Sequence, residues 1–499
     1  MCYSNNRLRP VMLAGTGSDV GKSMIAAGLC RIFRQDGYRP APFKAQNMAL
    51  NSYATPDGRE IGRAQAVQAE AAGIPCSTDM NPILLKPSTD MTSQVIVNGV
   101  PIGNRKAGEY FRRATFDSLR REAHAAFDRL NALYNPIVIE GAGSITELNL
   151  RDTDIVNMPM ARYADAAVIV VADIDRGGVF ASVYGSVMLQ TPDDRRRIKG
   201  IIINKFRGDI NLFTKGREIL EDICGVPVIG VVPMARDIHI EEEDSVSVKM
   251  KGRTAVSGKI NVAVLLLSHM ANFTDFDAME RDDRVNLYYT ATPAELLKAD
   301  IIIIPGSKST IDDLRRIRDN GCAEAVLRAR RDGKTVMGIC GGYQIMGLEV
   351  SDPDGVEGEP GSVCNGLGLL PVRTILTPEK VTRQVRFTHR GSDDVCEGYE
   401  IHMGVTRRCG DAAPLNRFAD GSEEGCMADG RTFGTYIHGI LDNKAVTDAL
   451  LAPYLDRTDA RGAATDYRTY RESQYDAWAA VLRESLDIQL LYNIMKCND

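Results

Sequence analysis

Two short stretches of this chain combine residue types and spacings that can do chemistry. In "AGTGSDVGKS", Ala14 to Ser23, a glycine-rich turn ends in Gly-Lys-Ser, the form of a phosphate-binding loop. Five residues separate Gly15 from Gly21, where the common pattern has four. Main-chain N–H groups of such a turn, and of the helix after it, point into one anion-binding concavity. Gly15, Thr16, Gly17, Val20 and Gly21 would line it for ATP, Lys22 would reach the terminal phosphates, and Ser23 would hold Mg²⁺. Glu140 closes "VIEGAG", where ligands of an open parallel sheet collect, and is the expected carboxylate for that magnesium. Asp173 and Asp175 in "VADIDRGG" end another apolar run and rank below it.

The second stretch is "TVMGICGGYQIMG", where Cys340 stands between Gly338 and Gly342. Small neighbours permit the sharp strand-to-helix turn of a nucleophile elbow, and a helix N-terminus favours thiolate. His438 in "FGTYIHGI" is the candidate base for Cys340, with Glu400 or Asp442 to orient it. Gly306 and Ser307 follow the run "IIIIP", and their N–H groups could donate to a tetrahedral oxyanion.

Both stretches need a strand before them and a helix after them. Apolar runs "RPVMLAG", "NPIVIEGAG", "AAVIVVADI", "IKGIIINKF" and "VPVIGVVP" alternate with helix-length segments, which predicts a parallel sheet covered on both faces over residues 1–245. The charged stretch 246–259 reads as a linker or edge hairpin. The alternation restarts over 260–446 with "INVAVLLLSHM", "ADIIIIPGS", "KTVMGICGG" and "RTFGTYIHGI", and 447–499 reads as a helical extension. Residues 43–99 read as a loop-rich insertion whose Gln, Asn, Lys and Arg can hydrogen-bond carboxylates and amides. The stretch 351–426, rich in Gly, Asp and Pro, reads as further loops.

A chain of 499 residues, 44% hydrophobic, has room for more than one core. Its net charge of −6 offers no basic footprint for nucleic acid. No leader and no apolar run of about 18 residues is evident, so a cytoplasmic enzyme without membrane association is expected. The 11 cysteines are scattered, with no C-x-x-C pair, and predict neither a disulfide framework nor a zinc knuckle.

The long loop "GTGSDVGKS", together with the strand-end "EGAG", resembles the dethiobiotin synthetase superfamily, whose members phosphorylate carboxylates. That resemblance implies a P-loop parallel-sheet α/β domain and places Asn204, in "INKF", beside the adenine base. The second half resembles class I glutamine amidotransferases, whose elbow is matched by Gly338, Cys340, Gly342 and Gln344. Gly341 and Gln344 are thereby expected at the glutamine and oxyanion pocket. The family's usual glutamate, two positions after the histidine, is here Ile440, as expected of the cobyrinate-amidating branch.

The blocks "KAQNMALNS", "EIGRAQ", "MNPILLKP", "ICGGYQIMG" and "YEIHMG" closely resemble the cobyric acid synthase family over almost the whole chain. The resemblance implies amidation of adenosylcobyrinic acid a,c-diamide with ATP and glutamine, with Mg²⁺ accompanying ATP and no tightly bound organic cofactor. Lys44, Gln46 and Asn47 become candidates for the phosphate and substrate surface. Two alternatives remain: a cobyrinic acid a,c-diamide synthase, and a partitioning-type ATPase switch carrying an inactive amidotransferase module.

Overall fold

The five apolar runs of the first half become strands, as their length and β-branched content require. The computed structural model describes residues 7–89, 92–106, 113–241, 252, 254–458 and 466–496. By its contacts the chain divides into two units: Met1–Ala49, Ile61–Glu241 and Arg471–Asp499 make one, and Leu50–Glu60 with Glu242–Tyr470 makes the other.

In the first unit six strands lie in the order Val228–Pro233, Ile198–Phe206, Ala167–Asp173, Val11–Gly15, Ile137–Glu140 and Ala41–Phe43. Every pairing is parallel. Their side chains are buried almost throughout, which explains why the runs are continuously apolar rather than alternating. Leu13 lies opposite Glu140 in the register, so the phosphate-loop turn and the strand-end carboxylate leave the sheet side by side.

Helix Lys22–Gln35 follows the turn, and the late helix Tyr467–Ser485 packs on it from Arg471 onward. Trp478 Nε1 donates to Met24 O at 2.7 Å, and a β-carbon at Gly28 would lie 2.3 Å from Leu482 Cδ1, so the glycine permits the close approach. The stretch 447–499 is therefore divided: Val446, Leu450 and Leu451 of helix Lys444–Leu451 lie in the second unit's core, and residues from Arg471 on belong to the first.

Residues 43–99 are far from loop-rich. They hold helix Arg63–Ala72 and most of a four-stranded sheet ordered Gln46–Met48, Ile83–Thr89, Thr92–Val97 and Val100–Lys106. Leu84 faces Ile96 in this sheet and the pair is buried with Ala49, an apolar face that the surrounding polar residues conceal in the sequence.

The second unit has a six-stranded sheet in the order Val285–Thr290, Ile260–Leu265, Ile301–Ile304, Thr335–Ile339, Thr432–Thr435 and Cys426–Asp429. All its pairings are parallel except the last. Stretch 351–426, expected as loops, instead supplies the long antiparallel strands Val372–His389 and Val395–Arg408. The short strand Ile437–His438 pairs with the second of these, Tyr399 opposite His438, and this fixes the histidine. Of the expected linker 246–259, residues 246–251 and 253 lie outside the described residues.

Candidate active sites

The phosphate loop is shaped around close approaches of its own backbone. Lys22 Nζ donates to Gly17 O at 3.0 Å and Gly143 O at 3.1 Å, so its ammonium spans the concavity. A β-carbon at Gly15 would stand 2.6 Å from Gly143 O, which excludes any side chain there. Thr16 donates its N–H to Val171 O at 3.0 Å. Gly21 has φ of 96°, and helix Lys22–Gln35 begins there with no side-chain cap, its first N–H groups directed at the loop.

Asn204, expected beside adenine, donates Nδ2 to Val20 O at 2.8 Å and so braces the phosphate loop itself. Asp173 pairs with Lys205 at 3.1 Å and accepts the Asp175 N–H at 2.8 Å, while exposed Asp175 pairs with Arg207. Both aspartates are thus engaged in ion pairs.

Glu140, 1% exposed, is the hub of the site. Its Oε1 accepts from Ser23 Oγ and from Lys44 Nζ, each at 2.8 Å, and its Oε2 accepts from Gln68 Nε2 at 2.6 Å. Burial opposes the carboxylate's charge, but the Lys44 ammonium and these donors outweigh it and hold Glu140 below its ordinary range. Ser23 Oγ and Glu140 Oε1 fit a magnesium ion in their chemistry, a hydroxyl and a carboxylate oxygen side by side beside the phosphate loop. Asn47 Nδ2 donates to Gln65 Oε1 at 3.2 Å, and half-buried Gln46 precedes it at the start of the same strand.

In the second unit Cys340 has φ of 52° and ψ of −111°, the strained turn of a nucleophile elbow. Its neighbours must be small: a β-carbon at Gly342 would stand 1.9 Å from Ile304 O. A β-carbon at Gly341 would stand 2.7 Å from Ser307 N, so the main chains of these two residues are adjacent. Lys308 donates its N–H to His269 O, and by the alternation of an antiparallel ladder the next pair, Met270 with Ser307, does not exchange hydrogen bonds. The Ser307 N–H is thereby turned away from its partner strand. Gly306 acts as a spacer, for a β-carbon there would meet His438 Cε1 at 3.4 Å and Cys340 Cβ at 3.8 Å. Gln344 is a brace: Nε2 donates to Met403 O at 3.1 Å and Tyr436 Oη at 3.0 Å, and Oε1 accepts from Thr310 Oγ1.

Buried His438 is oriented by Asp275. Nδ1 donates to Asp275 Oδ2 at 2.7 Å, and the other carboxylate oxygen accepts the Gly439 N–H at 2.9 Å. Nε2 lies 3.2 Å from Asn272 Nδ2. With both ring nitrogens engaged, neither Glu400 nor Asp442 orients the ring; Glu400 instead pairs with Arg383. Burial disfavours the imidazolium, but the charges of Asp275 and Cys340 and their hydrogen bonds overcome this and raise His438 to about 10. Against them stands Asn272, whose amide nitrogen can donate to Nε2 only while the ring is neutral.

Two family profiles cover most of the chain: a CobQ/CobB/MinD/ParA nucleotide binding domain over residues 11–248 and a CobB/CobQ-like glutamine amidotransferase domain over 261–446. The cobyric acid synthase of Phocaeicola vulgatus is 66% identical over 494 residues, covering 99% of each chain. That of Bacteroides fragilis is 64% identical, covering 99% of this chain and 100% of the relative. The chain belongs to the cobyric acid synthase family. As such it is a glutamine-dependent amide-forming ligase with an ATP-using P-loop half, and the partitioning-ATPase and a,c-diamide synthase alternatives fall away.

Sequence reasoning missed three groups of this cobyric acid synthase family member. Gln65 and Gln68 lie on the inner face of an alanine-rich helix, a polar pair at helical spacing inside an apolar stripe that could have flagged them. Asp275 carried no such signal. It sits in the short turn Phe273–Phe276, 163 residues from the histidine it holds.

Proposed function

We propose that this chain converts adenosylcobyrinic acid a,c-diamide to adenosylcobyric acid, amidating the b, d, e and g carboxylates with ammonia drawn from glutamine. The observation that carries this reading is near-full-length identity of 66% to a cobyric acid synthase, in a chain that holds both the Glu140 cluster and the Cys340–His438–Asp275 constellation.

The loop N–H groups and Lys22 bind the ATP phosphates and neutralise the charge that develops on the transferred phosphoryl group. Ser23 and Glu140 would hold magnesium, which would supply positive charge against the phosphates. Lys44 shares an oxygen of Glu140, and on release it can turn its ammonium toward the substrate carboxylate or the phosphoryl group. A carboxylate oxygen takes the γ-phosphoryl group and ADP departs, leaving an acyl phosphate that ammonia can attack with loss of phosphate.

Ammonia arises in the second unit. Cys340 gives its proton to His438 Nε2, and the thiolate attacks the γ-carboxamide carbon of glutamine. The oxyanion is held by the N–H groups of Ser307 and Gly341. His438 passes the proton to the departing nitrogen, ammonia leaves, and water then hydrolyses the thioester to glutamate with His438 as base. Asp275 keeps the proton on Nδ1 so that Nε2 faces the reaction.

No described helix is long and apolar enough to cross a membrane. The free thiols of the described cysteines suit the reducing cytoplasm, which we take as the compartment. Incubating the purified chain with ATP, Mg²⁺, glutamine and adenosylcobyrinic acid a,c-diamide, and following corrinoid mass, tests the substrate. Four successive exchanges of a carboxyl hydroxyl for an amino group are expected, and an unchanged mass alongside active glutamine hydrolysis would overturn the assignment.

A further inference from the structure

The nitrogen that must take the proton of Cys340 is already engaged. His438 Nε2 is 3.2 Å from Asn272 Nδ2, an atom that can only donate, so this contact occupies the lone pair of the neutral ring and sets donor against donor once Nε2 is protonated. Which way round the Asn272 amide sits is set from elsewhere: the Ser52 main-chain N–H donates to Asn272 Oδ1 at 3.1 Å. Turned over, the amide would set two donors against each other at Ser52. Asn272 has φ of 53°, a conformation asparagine tolerates better than most residues, and is buried.

Ser52 belongs to Leu50–Glu60, a segment of the amino-terminal sequence that lies in the second unit. It is held there by specific contacts. Asn51 Oδ1 accepts the Phe273 N–H at 3.2 Å, and Gln384 Nε2 donates to Ala54 O at 3.0 Å. Glu60 accepts from Ser52 Oγ at 2.7 Å and forms a buried ion pair with Lys380. The Tyr53 ring meets Tyr399 at 4.5 Å, and Tyr399 stacks on His438 at 5.4 Å. Along the chain, Lys44 lies six residues before Leu50 and Gln68 eight residues after Glu60, so the segment is tethered at both ends to donors of Glu140.

We propose that Leu50–Glu60 is a latch on glutamine hydrolysis, acting through Asn272 as a positioning residue. Docked, the segment holds the Asn272 amide so that its NH₂ blocks Nε2. Ligands that draw Lys44 and Gln68 away from Glu140 pull on both ends of the segment and weaken the Ser52 contact. Asn272 then leaves the lone pair or turns its carbonyl oxygen to the ring. The Cys340 proton moves to Nε2, giving thiolate and an imidazolium that Asp275 already favours. Ammonia is thereby released only when a phosphorylated carboxylate awaits it. The proposal rests on reading the Glu140 cluster as the ATP-phosphate site.

The test is glutamine hydrolysis by the full chain without ATP or corrinoid, with iodoacetamide alkylation at Cys340 read by peptide mass. Asn272→Ala removes the blocking donor and is expected to raise basal hydrolysis about three- to tenfold, the worth of one ordinary hydrogen bond. With all substrates present it should release more than one glutamate per amide formed. Asn272→Asp keeps an acceptor for Ser52 and replaces the donor to Nε2 by an acceptor, so Cys340 alkylation should quicken without disturbing the fold. Basal hydrolysis and alkylation no faster than wild type in both variants would overturn the latch. Failure of the wild-type chain to amidate the corrinoid with added ammonia would overturn the substrate assignment instead, and the basal rates would still decide the latch.

Discussion

Replacing Asp275 by Asn removes a charge while keeping nearly the same shape. The carboxylate takes the Nδ1 proton of His438 at 2.7 Å and the Gly439 N–H at 2.9 Å, both inside the core. Raising the ring from 6.5 to about 10 corresponds to roughly 5 kcal/mol in favour of the imidazolium. Burial opposes that lift and Asp275 and Cys340 supply it together; removing one buried, charged hydrogen-bond partner costs about 2–4 kcal/mol, or about 30- to 1000-fold in rate. We expect Asp275→Asn to lower glutamine-dependent kcat by about that factor while ammonia-dependent synthesis persists. The alkaline limb of glutamine hydrolysis should move down from near 10 toward the ordinary histidine range, because the variant loses imidazolium earlier as pH rises. Stability carries the same sign. A histidine raised in the folded state contributes stability that is fully present below about pH 6.5 and lost as pH rises through about 10. Urea unfolding should therefore show a smaller difference between wild type and variant at high pH than at pH 6. Glutamine-dependent kcat within threefold of wild type, with an unmoved alkaline limb, would refute this account of Asp275.

Other substitutions separate the two chemistries. Cys340→Ala should abolish glutamine-dependent synthesis and leave ammonia-dependent synthesis near wild type, as measured by ADP release with each nitrogen source; loss of both in a folded protein would contradict the division of labour. Lys22→Ala should depress synthesis from both sources by at least about a hundredfold, since the transferred phosphoryl group loses its principal cation, while basal glutamine hydrolysis survives. Gly342→Ala drives a β-carbon to 1.9 Å from Ile304 O and should cost about 2–4 kcal/mol in denaturant unfolding. Trp478→Ala should cost about 3–5 kcal/mol, because the ring is buried against the helix that follows the phosphate loop.

Local features were the ones legible in the sequence. The phosphate loop and the cysteine elbow each require glycine at fixed positions because neighbouring backbone comes within contact distance, and such needs are written into a few consecutive residues. The apolar strands of both sheets were legible for a similar reason, since burial on both faces leaves no room for polar alternation. Asp275 was not, because its partner is distant in sequence and the turn that carries it has no distinguishing pattern. Nor were the chain's crossings. Nothing in "LNSYATPDGRE" announces that it packs in the second unit, and nothing in "YDAWAAVLRESL" announces which core its apolar stripe enters. The sheet between Ile83 and Lys106 was concealed because its apolar runs, Ile83–Leu85 and Val95–Val97, are only three residues long and are set among polar residues.

The measurement that bears most directly on the central claim is transfer of label from glutamine carrying ¹⁵N in its side-chain amide to the corrinoid. The account predicts four labelled amides in the product, with one ADP and one glutamate released for each. Label appearing only as free ammonia, with the corrinoid mass unchanged while glutamine and ATP are consumed, would contradict it.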